Sequence, residues 1–213
     1  MQSTRRSTSP LTLVSDPEVV RRLRRQRREA GVDRFDEVWN GVCMMTPLPN
    51  NEHQDLQGGF VFAFRSALDG PSRALVVAGA NVSDRRRGWR SNFRCPDVAV
   101  FLPGGAALDL GTHWLGGPDF GVEIISPRDR ARKKLAFFGH VGTRELLLVD
   151  RNPWSLELYR LEEGRMQLTA QATLPHPAPL VSVVLPLTFH LRADAERPNI
   201  VVAHADGLRR WRV

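Results

Sequence analysis

The chain has 213 residues, of which 42% are hydrophobic and 25% charged, and this balance predicts one main globular domain with a short N-terminal extension. No apolar run approaches the roughly 20 residues of a membrane span, and two distant cysteines, Cys43 and Cys95, form neither a disulfide framework nor a zinc motif, so we expect a cytoplasmic protein. The net charge of +7 favours a polyanionic partner, above all nucleic acid, although an arginine-rich composition alone would give the same charge.

The beginning of the chain is basic. Asp16-Pro17 is typical of a helix start and Gly31 of a helix end. The apolar stripe between them is thin, so we expect a peripheral helix whose arginines either form a solvated face or follow phosphates. The predicted organisation, in chain order, is a disordered tail (1–14), a peripheral basic helix (15–32), a main domain (33–195) and a basic C-terminal tail (196–213).

A hairpin and a helix are predicted to follow. The hairpin turns at the Asn-Gly pair 40–41, the favoured two-residue turn, and carries Glu37 on its first arm. Apolar residues at helical spacing predict a helix that starts at Asn50 or Asn51. His53 would lie in its first turn, either as an ordinary surface residue or, next to a carboxylate site, as a proton carrier.

Residues 81–94 combine arginine with aromatic side chains. Such a loop can contact phosphates and stack on bases, and it can equally be an exposed loop with aromatic plugs. The candidate nucleic-acid-binding residues are Arg85, Arg86, Arg87, Trp89 and Arg90. Residues 103–118 are predicted to form a Gly-rich loop, because they contain no phosphate-binding motif.

Two predicted strands carry acidic residues. The first covers 95–101 and has Asp97 near its start. The second covers 120–125 and reads as a buried apolar run that contains Glu123. An ionised carboxylate in an apolar strand is costly unless a partner or ligand compensates it.

The helix predicted over residues 129–140 offers a partner for Glu123. On a helical wheel of about 100° per residue, Lys134 lies in the apolar face, whereas Lys133 lies off its centre. Lys134 and Glu123 therefore predict either a functional site or a structural ion pair.

The rest of the chain reads mainly as strands. These are predicted over 145–150, 155–161 and 166–172, with a hydrophobic segment over 180–187. The lysine-bearing helix would then be the crossover of a parallel βαβ unit.

The acidic residues and the lysine form a constellation suited to phosphodiester hydrolysis. Asp97, Glu123 and the main-chain carbonyl of Ile124 are the oxygen ligands that Mg²⁺ or Mn²⁺ prefers. Such a cation polarises a phosphoryl oxygen and lowers the pKa of a bound water. Lys134 could orient that water or stabilise the charge that develops on the phosphoryl group.

Several segments together resemble a known family. The ordered set of Pro96-Asp97, then Glu123-Ile124, then a lysine on the next helix resembles the PD-(D/E)XK nuclease superfamily, and more closely the Uma2 family (DUF820) of restriction-endonuclease-like proteins. The resemblance covers about residues 33–190 and includes the segments EVWNGVCMMTP, CPDVAVF, VEIISP, KKLAFFGHVGTRELLLVD and WSLELYRL.

The resemblance implies an α/β fold with a restriction-endonuclease-like core, in which a mixed central β-sheet is flanked by α-helices, and it makes 33–195 a nuclease-like domain. It further implies that Asp97 and Glu123 are metal ligands, that Lys134 is the catalytic lysine, and that Glu37 and His53 lie near the site. Ile125 stands at the position where the superfamily has its lysine. Lys134, on the following helix, would take over the role of that lysine.

The sequence thus predicts a Mg²⁺- or Mn²⁺-dependent endonuclease that acts on DNA, with a homodimer as a possible assembly and no membrane partner. Two alternatives stay open. The first is a non-catalytic nucleic-acid-binding or regulatory module on the same fold, since fold does not fix function. The second is a metal-independent structural protein in which Glu123 and Lys134 form a buried pair.

Overall fold

The computed structural model describes residues 16–34, 36–46, 48–70, 74–126 and 130–213. The predicted disordered tail (1–14) therefore lies outside the described residues. The chain divides into two compact units, residues 1–34 and 35–213.

The first unit contains the predicted basic helix, α1 (Pro17–Glu29). Its start follows from the sequence, because the Asp16 side chain accepts hydrogen bonds from the backbone N–H groups of Glu18 (2.8 Å) and Val19 (3.4 Å). No residue of α1 is buried. Packing therefore adds little to the stability of α1, which depends on its cap and on local charges.

The second unit contains the other elements. Its helices are α2 (Asn51–Ala67), a 3₁₀ turn (Trp89–Ser91) and α3 (Ala131–His140). Its strands, in chain order, are β1 (Glu37–Trp39), β2 (Val42–Met44), β3 (Leu75–Ala78), β4 (Val82–Ser83), β5 (Phe93–Arg94), β6 (Val98–Phe101), β7 (Leu108–Asp109), β8 (Trp114–Leu115), β9 (Phe120–Ile124), β10 (Glu145–Arg151), β11 (Trp154–Glu162), β12 (Arg165–Thr173), β13 (Leu180–Val181), β14 (Leu187–Arg192), β15 (Asn199–His204) and β16 (Arg210–Arg212). None of the described helices is long and apolar enough to cross a membrane.

The strands form three sheets. The hairpin sheet has the order β2-β1-β5-β4-β8-β7, the central sheet β12-β11-β10-β9-β6-β3, and the C-terminal sheet β13-β14-β15-β16. In the central sheet β10 runs parallel to β9, while the other neighbouring strands are antiparallel. The helix α3 joins β9 to β10, so the predicted parallel βαβ unit is present.

The two faces of the central sheet are covered differently. One face packs against α2 and the C-terminal sheet, around fully buried aromatic rings such as Phe64, Phe120 and Phe189. The other face packs against α3, around Phe138 and Leu148. Both faces of the central strands are buried, which explains the near-continuous apolar runs of their sequences.

Two predictions about chain segments need correction. The predicted loop 103–118 contains β7 and β8, which extend the hairpin sheet. The predicted basic tail 196–213 is folded, because β15 pairs with β14 and β16 pairs with β15. These strands turn the apolar residues Ile200, Val202 and Trp211 towards the core, whereas their outward residues are apolar in β15 (Val201, Ala203) and arginine in β16.

Candidate active site

The predicted site residues come from five different elements. Glu37 belongs to β1, His53 to the first turn of α2, Glu123 to β9 and Lys134 to α3, and Asp97 immediately precedes β6. The α2 start is fixed by the Asn50 side chain, which accepts a hydrogen bond from the His53 backbone N–H at 3.0 Å.

Lys134 joins two of the carboxylates. Its Nζ lies 2.9 Å from Glu37 Oε1 and 2.8 Å from Glu123 Oε2. All three residues are buried, with exposed fractions of 8% for Lys134, 4% for Glu37 and 2% for Glu123. The paired carboxylates explain how an ammonium group is tolerated in the apolar face of α3.

Two further groups form hydrogen bonds with the Glu37 carboxylate. Its Oε1 accepts a hydrogen bond from the Cys95 backbone N–H (2.8 Å) and its Oε2 accepts one from Trp39 Nε1 (2.7 Å). Both Glu37 oxygens are therefore engaged, and the first arm of the hairpin is tied to the segment that leads to Asp97.

One carboxyl oxygen of Glu123 has no hydrogen-bond partner among the described residues. This oxygen, Oε1, is buried, while Oε2 accepts from Lys134. Burial raises the pKa of the Glu123 carboxyl well above its ordinary value, and the charges of Asp97 and Glu37 raise it further, against the opposing effect of Lys134. Burial thus opposes ionisation of this carboxyl, and a further positive charge beside Oε1 would favour the ionised form.

Asp97 is oriented by β9 and by α2. Its Oδ2 accepts a hydrogen bond from the Ile124 backbone N–H at 2.7 Å, and its Oδ1 lies 2.9 Å from His53 Nε2. The other ring nitrogen of His53 lies 3.2 Å from the Ser126 hydroxyl. Gln57, one turn further along α2, donates from Nε2 to the Asp97 backbone carbonyl at 2.8 Å.

The described residues contain no group of three or more His, Cys, Asp and Glu side chains that could hold a metal ion. The predicted metal ligands form a smaller group, because only two of them, Asp97 and Glu123, are side chains and the third is the main-chain carbonyl of Ile124. Oxygen donors of this kind are those that a hard divalent cation prefers, and Glu123 Oε1 is buried without a hydrogen bond among the described residues.

The predicted nucleic-acid-binding loop is partly packed into the protein. Arg86, Arg87 and Arg90 are exposed, whereas Arg85 donates from Nη1 to the Ser91 hydroxyl at 2.6 Å. The half-buried Trp89 stacks on His113, with ring centroids 4.9 Å apart and planes at 14°. The face of the Trp89 ring that stacks on His113 is therefore packed against the protein.

Arg94 ends the segment 81–94, which was predicted to be either a nucleic-acid-facing loop or an exposed loop, and its place beside the site was not predicted. Its guanidinium is buried, lying 4.5 Å from the centre of the Trp39 ring and 4.3 Å from that of Phe137. Burial lowers the pKa of Arg94 to about 10, although the charge of Glu37 acts in the opposite direction. The nearby Cys95-Pro96-Asp97 segment was the available signal that this arginine lies beside the site.

A solved structure shares this fold. It is the crystal structure of "a putative nuclease belonging to DUF820" from Anabaena variabilis ATCC 29413, with a TM-score of 0.54, 21% sequence identity, and coverage of 70% of this chain and 80% of that chain. The likeness confirms the predicted fold class, a mixed α/β protein built on a restriction-endonuclease-like core. No curated protein matches the chain.

The family is identified by a match over most of the sequence. The Uma2 family, described as "Putative restriction endonuclease", matches residues 23–194. The chain belongs to the Uma2 family, as the order of its motifs predicted.

Proposed function

We propose that this protein is a metal-dependent endonuclease that hydrolyses phosphodiester bonds of DNA. The family supports the nuclease class and a nucleic-acid substrate. The observation that carries the proposal is the contact of a buried lysine, Lys134, with Glu123, whose second oxygen lies buried without a partner in the described residues.

Asp97, Glu123 and the carbonyl of Ile124 would hold Mg²⁺ or Mn²⁺. When bound there, the cation supplies polarisation of a phosphoryl oxygen and a lowered pKa for a bound water. Ile124 orients Asp97 through its N–H, and His53 contacts the other oxygen of the same carboxylate. These contacts hold the Asp97 carboxylate in place, so little side-chain movement would be needed when the cation binds.

Lys134 would stabilise the negative charge that develops on the phosphoryl oxygens during hydrolysis. Its two carboxylate partners favour the charged ammonium form, because opposite charges nearby oppose the effect of burial. Glu37 is a positioning residue in this account, since it holds Lys134 without belonging to the ligand set.

One observation favours the alternative of a metal-independent structural protein. The Glu37–Lys134–Glu123 network is buried and largely satisfied, which is also the form of a structural ion pair. Such a protein would not be stabilised by a divalent cation, whereas the other alternative, a non-catalytic binding module, would bind nucleic acid and leave it intact.

The experiment that tests the proposal is nicking of supercoiled plasmid with Mg²⁺, Mn²⁺ or EDTA. We expect nicking by the wild type with either cation, none with EDTA, and at least a 100-fold loss in Asp97→Asn. This variant keeps the shape of the side chain and an oxygen for the Ile124 N–H. Equal nicking by the wild type and Asp97→Asn would contradict the proposed site, and DNA binding without nicking by the wild type would favour the binding module.

A further inference from the structure

The helix α1 carries a large share of the positive charge of the chain. Its 13 residues contain six arginines and two glutamates, a surplus of four positive charges, whereas the whole chain of 213 residues has a net charge of +7. An arginine-rich composition alone would spread such a surplus along the chain. Its concentration in one short element therefore needs an explanation in that element.

The ends of α1 are fixed by its own residues and their immediate neighbours. At the start, the side chain of Asp16 caps the helix. At the end, Gly31 has a positive φ of 66°, and the Val32 backbone N–H donates to the Arg27 carbonyl at 3.0 Å. No residue of α1 is buried, so the helix presents its side chains at helical spacing without depending on a buried core.

Four of the arginines lie on one side of α1. At about 100° per residue, they lie within about 50° of a common direction and at least about 100° away from Leu23. We call this surface the arginine face; its residues are Arg21, Arg24, Arg25 and Arg28. All four are exposed, and they cover about 10 Å of the helix axis.

The arginine face is open to an external anion. Within the described residues Arg24 makes no hydrogen bond and no ion pair. The other three form ion pairs with acidic residues of the same unit, but the N–O distances are 3.8–3.9 Å and the arginine side chains remain 71–73% exposed. Exposed pairs of this kind add little stability and are screened by salt, so the guanidinium groups can exchange these carboxylates for phosphates.

The composition of α1 distinguishes between polyanionic partners. The helix contains no aromatic residue, which argues against a single strand, because the bases of single strands stack on aromatic rings. Its apolar residues are only Val19, Val20 and Leu23, far fewer than the broad apolar face of a helix that lies in a membrane surface. A DNA duplex carries one negative charge per about 1.7 Å, and its major groove, about 12 Å wide, admits an α-helix. The deep and narrow major groove of duplex RNA does not.

We propose that α1 binds duplex DNA through the phosphates, without reading the base sequence. The arginine face makes the contacts, because guanidinium groups bind phosphate by charge and by paired N–H donors, and the phosphates of a duplex repeat in every sequence. This inference goes beyond the proposed function and does not rest on it, since binding by α1 requires neither a metal ion nor Lys134.

Binding of a short fluorescein-labelled DNA duplex to the full chain, measured by fluorescence anisotropy in EDTA at several salt concentrations, tests this proposal. The test variant is Arg21→Gln/Arg24→Gln/Arg25→Gln/Arg28→Gln, in which glutamine keeps nearly the helix propensity of arginine. We expect this variant to bind at least about tenfold more weakly, and the slope of log Kd against log salt to decrease by about 3–4, since each phosphate contact contributes about 0.9.

Two matched variants serve as controls. The first replaces the same four arginines with lysine, which keeps the charge, so its slope should stay within about 1 of the wild-type slope. The second removes four exposed arginines of the second unit that have no partner within the described residues, Arg86→Gln/Arg87→Gln/Arg192→Gln/Arg210→Gln. It loses the same net charge, and we expect its slope to decrease by less than about half as much as that of the test variant.

An unchanged slope in the test variant would overturn the proposal, as would an equal or larger decrease in the second control or the absence of duplex binding by the wild type. A lysine variant that loses as much of the slope as the glutamine variant would show that the charge of the arginine face does not hold the duplex. Binding of the wild type to phosphatidylserine vesicles, without binding to the duplex, would assign this face to an anionic membrane surface instead.

Plasmid nicking separates this inference from the catalytic function. Nicking by the wild type together with an unchanged slope in the test variant would contradict duplex binding by α1 alone. A reduced slope without nicking by the wild type would support duplex binding by α1 and contradict the catalytic function.

Discussion

Lys134 and Glu123 show how a few residues determine the character of the site. An ammonium and a carboxylate are each costly in an apolar interior, and the structure places them 2.8 Å apart with Glu37 on the other side of the lysine. The local pattern was enough to predict the Lys134–Glu123 contact, because a helical wheel orients the lysine and strand burial isolates the glutamate.

Other contacts of the site depend on residues distant in sequence. Asp97 meets His53 across 44 positions, and His53 meets Ser126 across 73. Nothing in local spacing indicates such pairs, since they depend on how α2 packs against the central sheet. The same reason explains why the burial of Arg94 was not predicted, although its guanidinium lies between two aromatic rings.

Tyr159 provides a prediction at the residue scale, because it is the only tyrosine in the sequence. Burial raises its pKa from the ordinary 10.0 to about 12, and the hydrogen bond that its hydroxyl donates to Glu157 (2.8 Å) adds to the shift. The unfolded chain therefore releases this proton first, and the stabilising contribution of the phenol, present below pH 10, is lost as the pH rises towards 12.

Ultraviolet absorbance of tyrosinate follows this single group directly. We expect a titration midpoint near 12 in the wild type and a lower midpoint in Glu157→Gln, whose neutral amide no longer opposes the tyrosinate charge. Circular dichroism over the same pH range checks that the protein remains folded. A midpoint near 10 in the folded wild type would contradict the described environment of Tyr159.

At the scale of elements, the hairpin could be predicted from the residue types of its turn. The Asn40-Gly41 turn has positive φ at both positions, 47° and 87°, as a two-residue hairpin with the right twist requires. The strands β7 and β8 were missed because each is only two residues long, too short for any periodicity. The C-terminal strands were missed because arginines on their outer face suggested a solvated tail.

The packing of α3 gives a prediction for an element. Gly139 lies against the turn between β11 and β12, and a Cβ there would lie 2.8 Å from the Gly164 backbone oxygen. Gly139→Ala should therefore decrease the free energy of unfolding by about 1–3 kcal/mol, despite the better helix propensity of alanine.

The control is Gly58→Ala in α2, where a Cβ would meet no atom within 4 Å. There we expect a gain of about 0.5–1 kcal/mol, because only the helix propensity changes. Urea unfolding measures both values. A Gly139→Ala protein as stable as Gly58→Ala would show that α3 does not pack closely on this turn.

At the scale of the whole molecule, metal binding should appear as global stability. A ligand that binds only the folded state stabilises it by mass action, by about 2.7 kcal/mol at 100 times its Kd. For a chain of this size we expect saturating Mn²⁺ to raise the Tm by about 5–10 °C, and EDTA to reverse the rise.

Differential scanning fluorimetry of the wild type and Asp97→Asn distinguishes site binding from a general effect of ions. The shift should be absent in Asp97→Asn, because one of the two carboxylate ligands is neutral. A shift of equal size in both proteins would locate the metal elsewhere, and no shift in the wild type would favour the structural ion pair.

The most direct test of the central claim compares two neighbouring lysines in Mn²⁺-dependent plasmid nicking. Lys134 is buried against two carboxylates, whereas Lys133 is exposed on the same helix. We predict a loss of at least 100-fold in the nicking rate of Lys134→Met and a change of less than twofold in Lys133→Met. Equal rates in Lys134→Met and the wild type, with both proteins folded, would contradict the assignment of Lys134 as the catalytic lysine.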